Sequence, residues 1–371
     1  MIPVCKPLLG PKEKRYIQDC LQTNWISSSG KYIQTFEEAF SHYCGQKYGI
    51  TTTNGTAALH LALVALKIRP GDEVIMPSFT IASTAFAVIY CGAKPVFVDS
   101  QPDTWNMDVA KIEEKITKKT KVIMPVHIYG HPCDMDPIMH LARKYHLFVV
   151  EDAAEAHGAE YNGRKVGSFG DLSCFSFYGN KIITSGEGGI VLTNNQKMAQ
   201  RCRYLKNLCF QEPKRFWHND LGFNYRMTNL QAALALAQFE RIEELVERRR
   251  RNAQLYGELL SDVSGLTLPV EKNGVKNVFW MLGVVVEKSF GLARDQLRKR
   301  LFDKGVETRN FFIPMHQQPI IKRMGFVSKK DRYPVAEKLG RCGMYLPSGG
   351  DLNKREIQYI CDCMREIQRR S

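Results

Sequence analysis

Short runs of consecutive apolar residues, separated by longer amphipathic stretches, fill the first two thirds of the chain. The runs at 74–76, 95–98, 122–126 and 147–150 are apolar at successive positions rather than alternate ones, the pattern of strands covered on both faces. Helical spacing appears at 34–43 and 57–66, and Pro70-Gly71-Asp72 punctuates the chain after the second. Strand and helix therefore alternate, which predicts a mostly parallel sheet with helices on both faces. A long helix is expected from 228 to about 256, carrying the chain out of this layer. Beyond it, 278–286 reads as a strand, 294–304 as a helix and 354–368 as a terminal helix. We expect an α/β chain of two domains, a large one at 1–245 and a smaller α+β one at 246–371.

Three places along the chain carry candidate chemistry. Phe175-Ser176-Phe177-Tyr178-Gly179-Asn180-Lys181 turns from apolar to polar and continues into Ser185-Gly186-Glu187-Gly188-Gly189. It leaves one amine at the edge of a sheet, where loss of solvent removes its proton and fits it for a Schiff base with a carbonyl compound. The run at 147–150 ends in Glu151-Asp152-Ala153-Ala154-Glu155-Ala156-His157. Open α/β sheets bind ligands at the C-terminal ends of their strands. A carboxylate there either caps the following turn or holds a protonated pyridine nitrogen, the arrangement that makes pyridoxal phosphate an electron sink. Upstream, Thr53-Asn54-Gly55-Thr56 opens a helix of strong formers. Its N–H groups, its positive dipole end and a hydroxyl suit a phosphate, and they equally suit an ordinary helix start capped by Asn54 or Thr56.

Charge and cysteine usage narrow the class. A formal charge of +14 admits nucleic acid, an anionic surface or anionic substrates. The densest basic run, Glu247-Arg248-Arg249-Arg250-Arg251, follows Glu240, Glu243 and Glu244 at helical spacing and reads as a solvated face laced with ion pairs. Zinc-finger spacing, ribonucleoprotein aromatics and basic-zipper heptads do not accompany it. No run of about 18 uninterrupted apolar residues occurs, and Met1-Ile2-Pro3-Val4-Cys5-Lys6 lacks the apolar core of a signal peptide. The expectation is a cytoplasmic protein with neither a nucleic-acid nor a membrane partner. The 11 cysteines, without a CxxC pair, read as reduced thiols and small core residues, and no metal site is expected.

Phosphate cradle, acidic strand end and lysine, in this order and spacing, match fold-type I pyridoxal-phosphate enzymes. With Trp25-Ile26-Ser27-Ser28-Ser29-Gly30-Lys31, Gly71-Asp72-Glu73-Val74-Ile75, Gly186-Glu187-Gly188-Gly189 and Gly222-Phe223-Asn224-Tyr225-Arg226-Met227-Thr228-Asn229, the chain resembles the sugar-nucleotide aminotransferases of the DegT/DnrJ/EryC1/StrS family. The likeness runs from about Ile2 to the C-terminus. His127-Ile128-Tyr129-Gly130-His131-Pro132-Cys133-Asp134-Met135 and the lysine segment are most similar to the perosamine-forming branch of that family.

The resemblance implies a large domain that binds pyridoxal 5'-phosphate on a mostly parallel sheet between helices, followed by a smaller C-terminal α+β domain. It makes Lys181 the catalytic lysine, which carries the covalent link and moves the proton between substrate carbon and cofactor. Asp152 then binds the pyridine nitrogen, while Gly55, Thr56 and Ser176 hold the phosphate. Asn224 reaches the phosphate from the neighbouring subunit, so each active site belongs to a homodimer. Substrate contacts are expected from Lys31, Phe79, Glu155, Arg309 and His316. One departure concerns the ring that often covers the cofactor in relatives: here Pro77-Ser78-Phe79-Thr80 is followed by Ile81, so either Phe79 or Ile81 supplies the cover.

The implied reaction moves the amine of L-glutamate to the cofactor, releasing 2-oxoglutarate, and then to C4 of a nucleotide-linked 4-keto-6-deoxyhexose. An NDP-4-amino-4,6-dideoxyhexose results. GDP-perosamine is the product the resemblance favours; UDP- or dTDP-viosamine and amination at C3 stay open, because no motif reads a nucleotide base. Family dehydratases that remove the sugar C3 hydroxyl carry His at the lysine position, and Lys181 argues against that branch. A nicotinamide dehydrogenase would need G-x-G-x-x-G after its first strand, which is missing. From a different class, a non-catalytic regulatory or binding protein could use the same fold; the intact trio argues against it.

Overall fold

The computed structural model describes residues 1–328 and 330–370. Seven strands form a central sheet in the order Tyr48–Thr52, Gly189–Thr193, Leu172–Ser176, Phe148–Asp152, Thr120–Ile123, Glu73–Pro77 and Lys94–Val98. Gly189–Thr193 runs against both its neighbours, and the other pairings are parallel. Glu73–Pro77, Leu172–Ser176 and Gly189–Thr193 are buried at every position, as strands covered on both faces must be.

The covering helices show why their sequences differ. Gly55–Ala65 is buried around nearly its whole circumference, because it lies between the sheet and the helices Ala82–Tyr90 and Gln196–Lys206; a helix apolar all round belongs in a core. Lys31–Tyr43 instead presents one apolar stripe. From it Phe36 meets Phe177 at 5.1 Å between ring centroids, and Phe40 meets Phe175 at 5.0 Å. All four rings are fully buried, and truncating one to alanine would cost about 3–5 kcal/mol. This cluster braces the strand end that leads into Lys181.

A second, antiparallel sheet follows in the order Leu266–Thr267, Leu282–Val286, Gly343–Leu346 and Arg309–Asn310. The helices Ile242–Leu260, Arg294–Asp303 and Lys354–Arg369 close a separate core against it.

Three expectations change at this level. The helix expected from 228 to about 256 is two helices, Asn229–Phe239 and Ile242–Leu260. The bend falls where Glu240 and Arg241 are drawn to the N-terminal helix Pro11–Thr23: Tyr16 donates to Glu240 at 2.8 Å, and Arg241 reaches Glu13 at 3.4 Å. In the basic run, Arg248 pairs with Glu244 at 3.0 Å as a solvated face predicts, but Arg249 is buried and donates to the carbonyls of Trp280 and Ser348. Helical periodicity puts Arg249 on the face of Leu245, Asn252, Ala253 and Tyr256, all buried. Finally, the strand expected at 278–286 is only Leu282–Val286. Residues 278–281 instead thread past Gly130, where a Cβ would lie 3.0 Å from the backbone nitrogens of Phe279 and Trp280.

Candidate active site

The parallel strands end at a common edge of the sheet. Phe148–Asp152 and Leu172–Ser176 are neighbours there, which brings Asp152 and Ser176 to the same edge. Successive strand residues face opposite sides, and this separates the two adjacent carboxylates. Glu151 turns inward, accepts the N–H groups of Gly167 at 2.8 Å, Phe169 at 2.8 Å and Gly170 at 2.7 Å, and pairs with His127 at 3.2 Å. Its role is to hold the fold. Asp152 turns toward a cavity, held by the Thr84 hydroxyl at 2.8 Å and the Ala154 N–H at 3.2 Å.

The reversal from Leu172–Ser176 into Gly189–Thr193 carries Lys181 over the same edge. Opposite it starts the helix Gly55–Ala65, capped by Asn54, which accepts the Ala57 N–H at 2.8 Å. Gly55 sits so close to Ser176 that a Cβ would lie 2.7 Å from the serine Cβ. The first N–H groups of a helix have no partner inside it, and here Gly55 and Thr56 line the cavity. The cavity holds about 700 Å³, within the range of small-molecule sites. The small-sheet side closes it with Trp280, Met281, Arg309 and Tyr345.

Lys181 has a side chain only 9% exposed, and its Nζ lies 4.0 Å from Glu155 Oε1. Burial lowers the amine's pKa, and Glu155 and then Asp152 oppose that. Burial pushes Glu155 up to about 7, against the pull of Lys181 and of the Tyr129 N–H, which donates to it at 2.7 Å. Asp152 is also raised by burial, with Thr84 and the Ala154 N–H acting against it. Among the described residues Asp152 has no ion-pair partner within 4 Å, so this buried carboxylate lacks a cation. A protonated pyridine nitrogen supplies that charge, and a phosphate suits the N–H groups at Gly55 and Thr56 with the Ser176 hydroxyl beside them. The residues fit pyridoxal phosphate.

Gly55, Thr56, Asp152, Ser176, Lys181 and Arg309 thus share one cavity, and Glu155 stands beside the lysine. The other residues singled out by sequence lie elsewhere in this chain. Lys31 is exposed and pairs with Asp19 at 2.9 Å. Phe79 is wholly buried, 5.9 Å from Tyr129 and 5.8 Å from Phe311 between ring centroids; Ile81, not Phe79, lines the cavity. His316 is buried, with Nδ1 2.6 Å from the Ser78 hydroxyl and Nε2 3.3 Å from Glu337, so it ties the small-sheet side to the end of Glu73–Pro77. Asn224 is exposed, bridged through its backbone to Asn207, and does not line its own chain's cavity. Sequence reasoning missed Thr84, Trp280 and Tyr345. Nothing local marks Thr84; Trp280 lay in a stretch read as strand; Tyr345 reaches the cavity by pairing with Arg309 in the small sheet.

The aminotransferase family named DegT/DnrJ/EryC1/StrS matches residues 7–365. The chain is 45% identical over 366 residues to a GDP-perosamine synthase of Escherichia coli O157:H7, covering 99% of this chain and 98% of the relative. It is 46% identical over 367 residues to a GDP-perosamine synthase of Caulobacter vibrioides, with coverage of 99% and 98%. A solved putative sugar aminotransferase from Streptococcus pneumoniae, in its PLP form, superposes with a TM-score of 0.93 at 27% identity, covering 100% of this chain and 99% of the other. A match over almost the entire chain, on a fold whose cavity presents the lysine, the carboxylate and the helix start, establishes that the chain belongs to the DegT/DnrJ/EryC1/StrS aminotransferase family.

Proposed function

We propose that this aminotransferase uses pyridoxal 5'-phosphate to move the amine of L-glutamate onto C4 of a GDP-linked 4-keto-6-deoxyhexose, giving GDP-perosamine. The observation that carries the chemistry is the convergence of Lys181, a buried Asp152 with no ion-pair partner within 4 Å among the described residues, and the helix start at Gly55 on one cavity. Bound there, pyridoxal phosphate supplies a conjugated ring that takes up the electron pair released at the substrate carbon. Asp152 keeps the ring nitrogen protonated. The N–H groups of Gly55 and Thr56 and the Ser176 hydroxyl hold the phosphate, and Ile81, which lines the cavity, stands at the sequence position where the family resemblance expects a covering ring. Lys181, with its basicity lowered by burial, takes a proton from one carbon and returns it to another. Glutamate as donor follows from the family resemblance, and GDP from the names of the relatives at 45% and 46% identity.

A homodimer completes this reading. Asn224 is outside its own cavity, and the segment leading to it exposes Phe216, Trp217 and Leu221 at 81%, 65% and 83%. Apolar surface of this kind marks an interaction site. A two-fold copy covering it would bring Asn224 to the other chain's phosphate. We divide each chain at 245/246, with Ile242–Leu260 leading from the large domain into the small one. A cytoplasmic location accords with the free cysteines. No helix among the described residues is long and apolar enough to cross a membrane.

The test is to supply L-glutamate with GDP-, UDP- and dTDP-linked 4-keto-6-deoxy sugars and to identify the aminated product by mass and by NMR. GDP-linked substrate should give the highest kcat/KM, with the amine on C4. A UDP or dTDP preference would replace the nucleotide and leave transamination standing; no amination with any of the three would overturn the reading.

A further inference from the structure

Lys181 has a neighbour that neither the phosphate cradle nor the ring-nitrogen site explains. Its Nζ stands 3.7 Å from the centroid of the Trp280 indole. That indole is itself fixed: Nε1 donates at 2.8 Å to the carbonyl of Asn180, the residue just before the lysine, and the Trp280 carbonyl accepts from the buried Arg249 at 3.0 Å. Trp280 is buried and lines the cavity. It arrives from the small-sheet side, the lysine from the large sheet, and the bond to Asn180 locks the two together.

We propose that Trp280 is a positioning residue for Lys181, its indole face holding the free amine beside Glu155 and favouring the protonated form. The proposal rests on Lys181 being the reactive amine and is independent of which sugar is used. A ring quadrupole attracts an ammonium rather than a neutral amine, and more strongly where water is excluded. Burial acts in the opposite direction. Among the described residues, Glu155, Asp152 and Cys5 act on this amine and His157 responds to it, while Arg309, Tyr345, Tyr178, Glu187, Tyr225, His60 and Tyr90 line the same cavity. The two carboxylates act in the same direction as the indole, so the lysine, once released from its covalent link, holds the proton it has taken in a site that would otherwise expel it.

The test measures the amine itself. Full-length protein freed of cofactor is labelled with acetic anhydride across a pH series, and the midpoint for Lys181 is read from its peptide by mass spectrometry. Growth on 5-fluorotryptophan weakens the negative ring face without changing its shape. The chain has 4 tryptophans, and Trp280 is the one over Lys181. The midpoint should fall by a few tenths of a pH unit in the fluorinated protein and by about one unit in Trp280→Leu, with Trp280→Phe between them. An unchanged midpoint in the fluorinated protein would overturn the proposal, whether or not the Leu variant folds. Equal shifts in the Phe and Leu variants without a fluorine effect would assign the change to the lost bond to Asn180, and that also overturns it. Borohydride trapping in the holoprotein tests the underlying reading separately: its failure would appear as a reduced adduct on another lysine.

Discussion

Glu155 Oε1 and Lys181 Nζ face each other across 4.0 Å, with side chains only 4% and 9% exposed. Burial disfavours both charges, while each charge favours the other. The carboxyl is pushed up to about 7 and the amine is drawn below its usual range. Burial thus brings the proton affinities of the two groups closer together, as suits a lysine that must both take and return a proton.

Replacing Glu155 by glutamine gives this coupling a sign. A carboxyl that binds its proton more tightly when folded makes stability fall as pH rises between 4.5 and about 7. Glu155→Gln removes that fall. It also removes an anion that keeps Lys181 charged, so the amine's lowered basicity, which makes stability rise with pH, extends to lower pH. Both changes have the same direction. In protein freed of cofactor, the variant's thermal midpoint minus the wild-type value should increase steadily from pH 4.5 to about pH 7. A constant difference would contradict a titrating Glu155.

His157 carries the opposite dependence. Its ring is fully buried, with centroids 5.4 Å from Phe175 and 5.6 Å from Phe177. Burial first, and Lys181 second, lower its pKa to about 3. The unfolded chain therefore binds a proton that the folded chain refuses, and stability is lost as pH falls from 6.5 toward 3, at about 1.4 kcal/mol per pH unit. His157→Phe should flatten that limb by one proton. Urea unfolding at stepped pH measures it, and any packing strain from the larger ring shifts all points alike. Retention of the full slope would place the proton elsewhere.

Gly55→Ala tests the cradle by geometry alone. The added methyl would meet Ser176 Cβ at 2.7 Å and its hydroxyl at 3.1 Å, so either the serine or the helix start has to move. Overpacking of this kind costs about 1–3 kcal/mol. Displacing hydrogen bonds to a charged phosphate should weaken cofactor binding by about tenfold or more. Titration of the cofactor by absorbance decides it, and unchanged affinity would mean that the phosphate lies elsewhere.

What the sequence made legible follows from how local each signal is. The runs at 74–76, 95–98 and 147–150 became strands within a residue or two of their expected ends, because strands covered on both faces leave an unbroken apolar trace. The lysine and the acidic strand end were legible for a related reason, since each follows such a trace, and the helix start was legible from the run of strong helix formers after Gly55. Thr84 and Trp280 were not, since they meet Asp152 and Lys181 only through packing of distant elements. Arg249 misled for the converse reason. Four consecutive arginines look alike in sequence, and only the helix face separates the buried one from its neighbours. Phe79 and His316 belong to segments near the cavity, but their rings point into the interior, an orientation that spacing along the chain does not reveal.

The remaining prediction concerns Asn224. If it serves the partner's phosphate, Lys181→Ala and Asn224→Ala disable the same site from different chains. Lys181→Ala should lower kcat to about a thousandth or less, and Asn224→Ala should weaken turnover about 10- to 100-fold through a lost bond to a charged group. In a mixed dimer, one site combines both lesions and the other has neither. Random exchange of equal amounts makes half the dimers mixed, so about a quarter of all sites should regain wild-type composition. If instead each chain built its site alone, every site would keep one lesion and mixing would restore nothing. Exchange is verified by native mass spectrometry with one chain isotopically labelled. Activity that stays at the average of the two parents after proven exchange would refute the shared site.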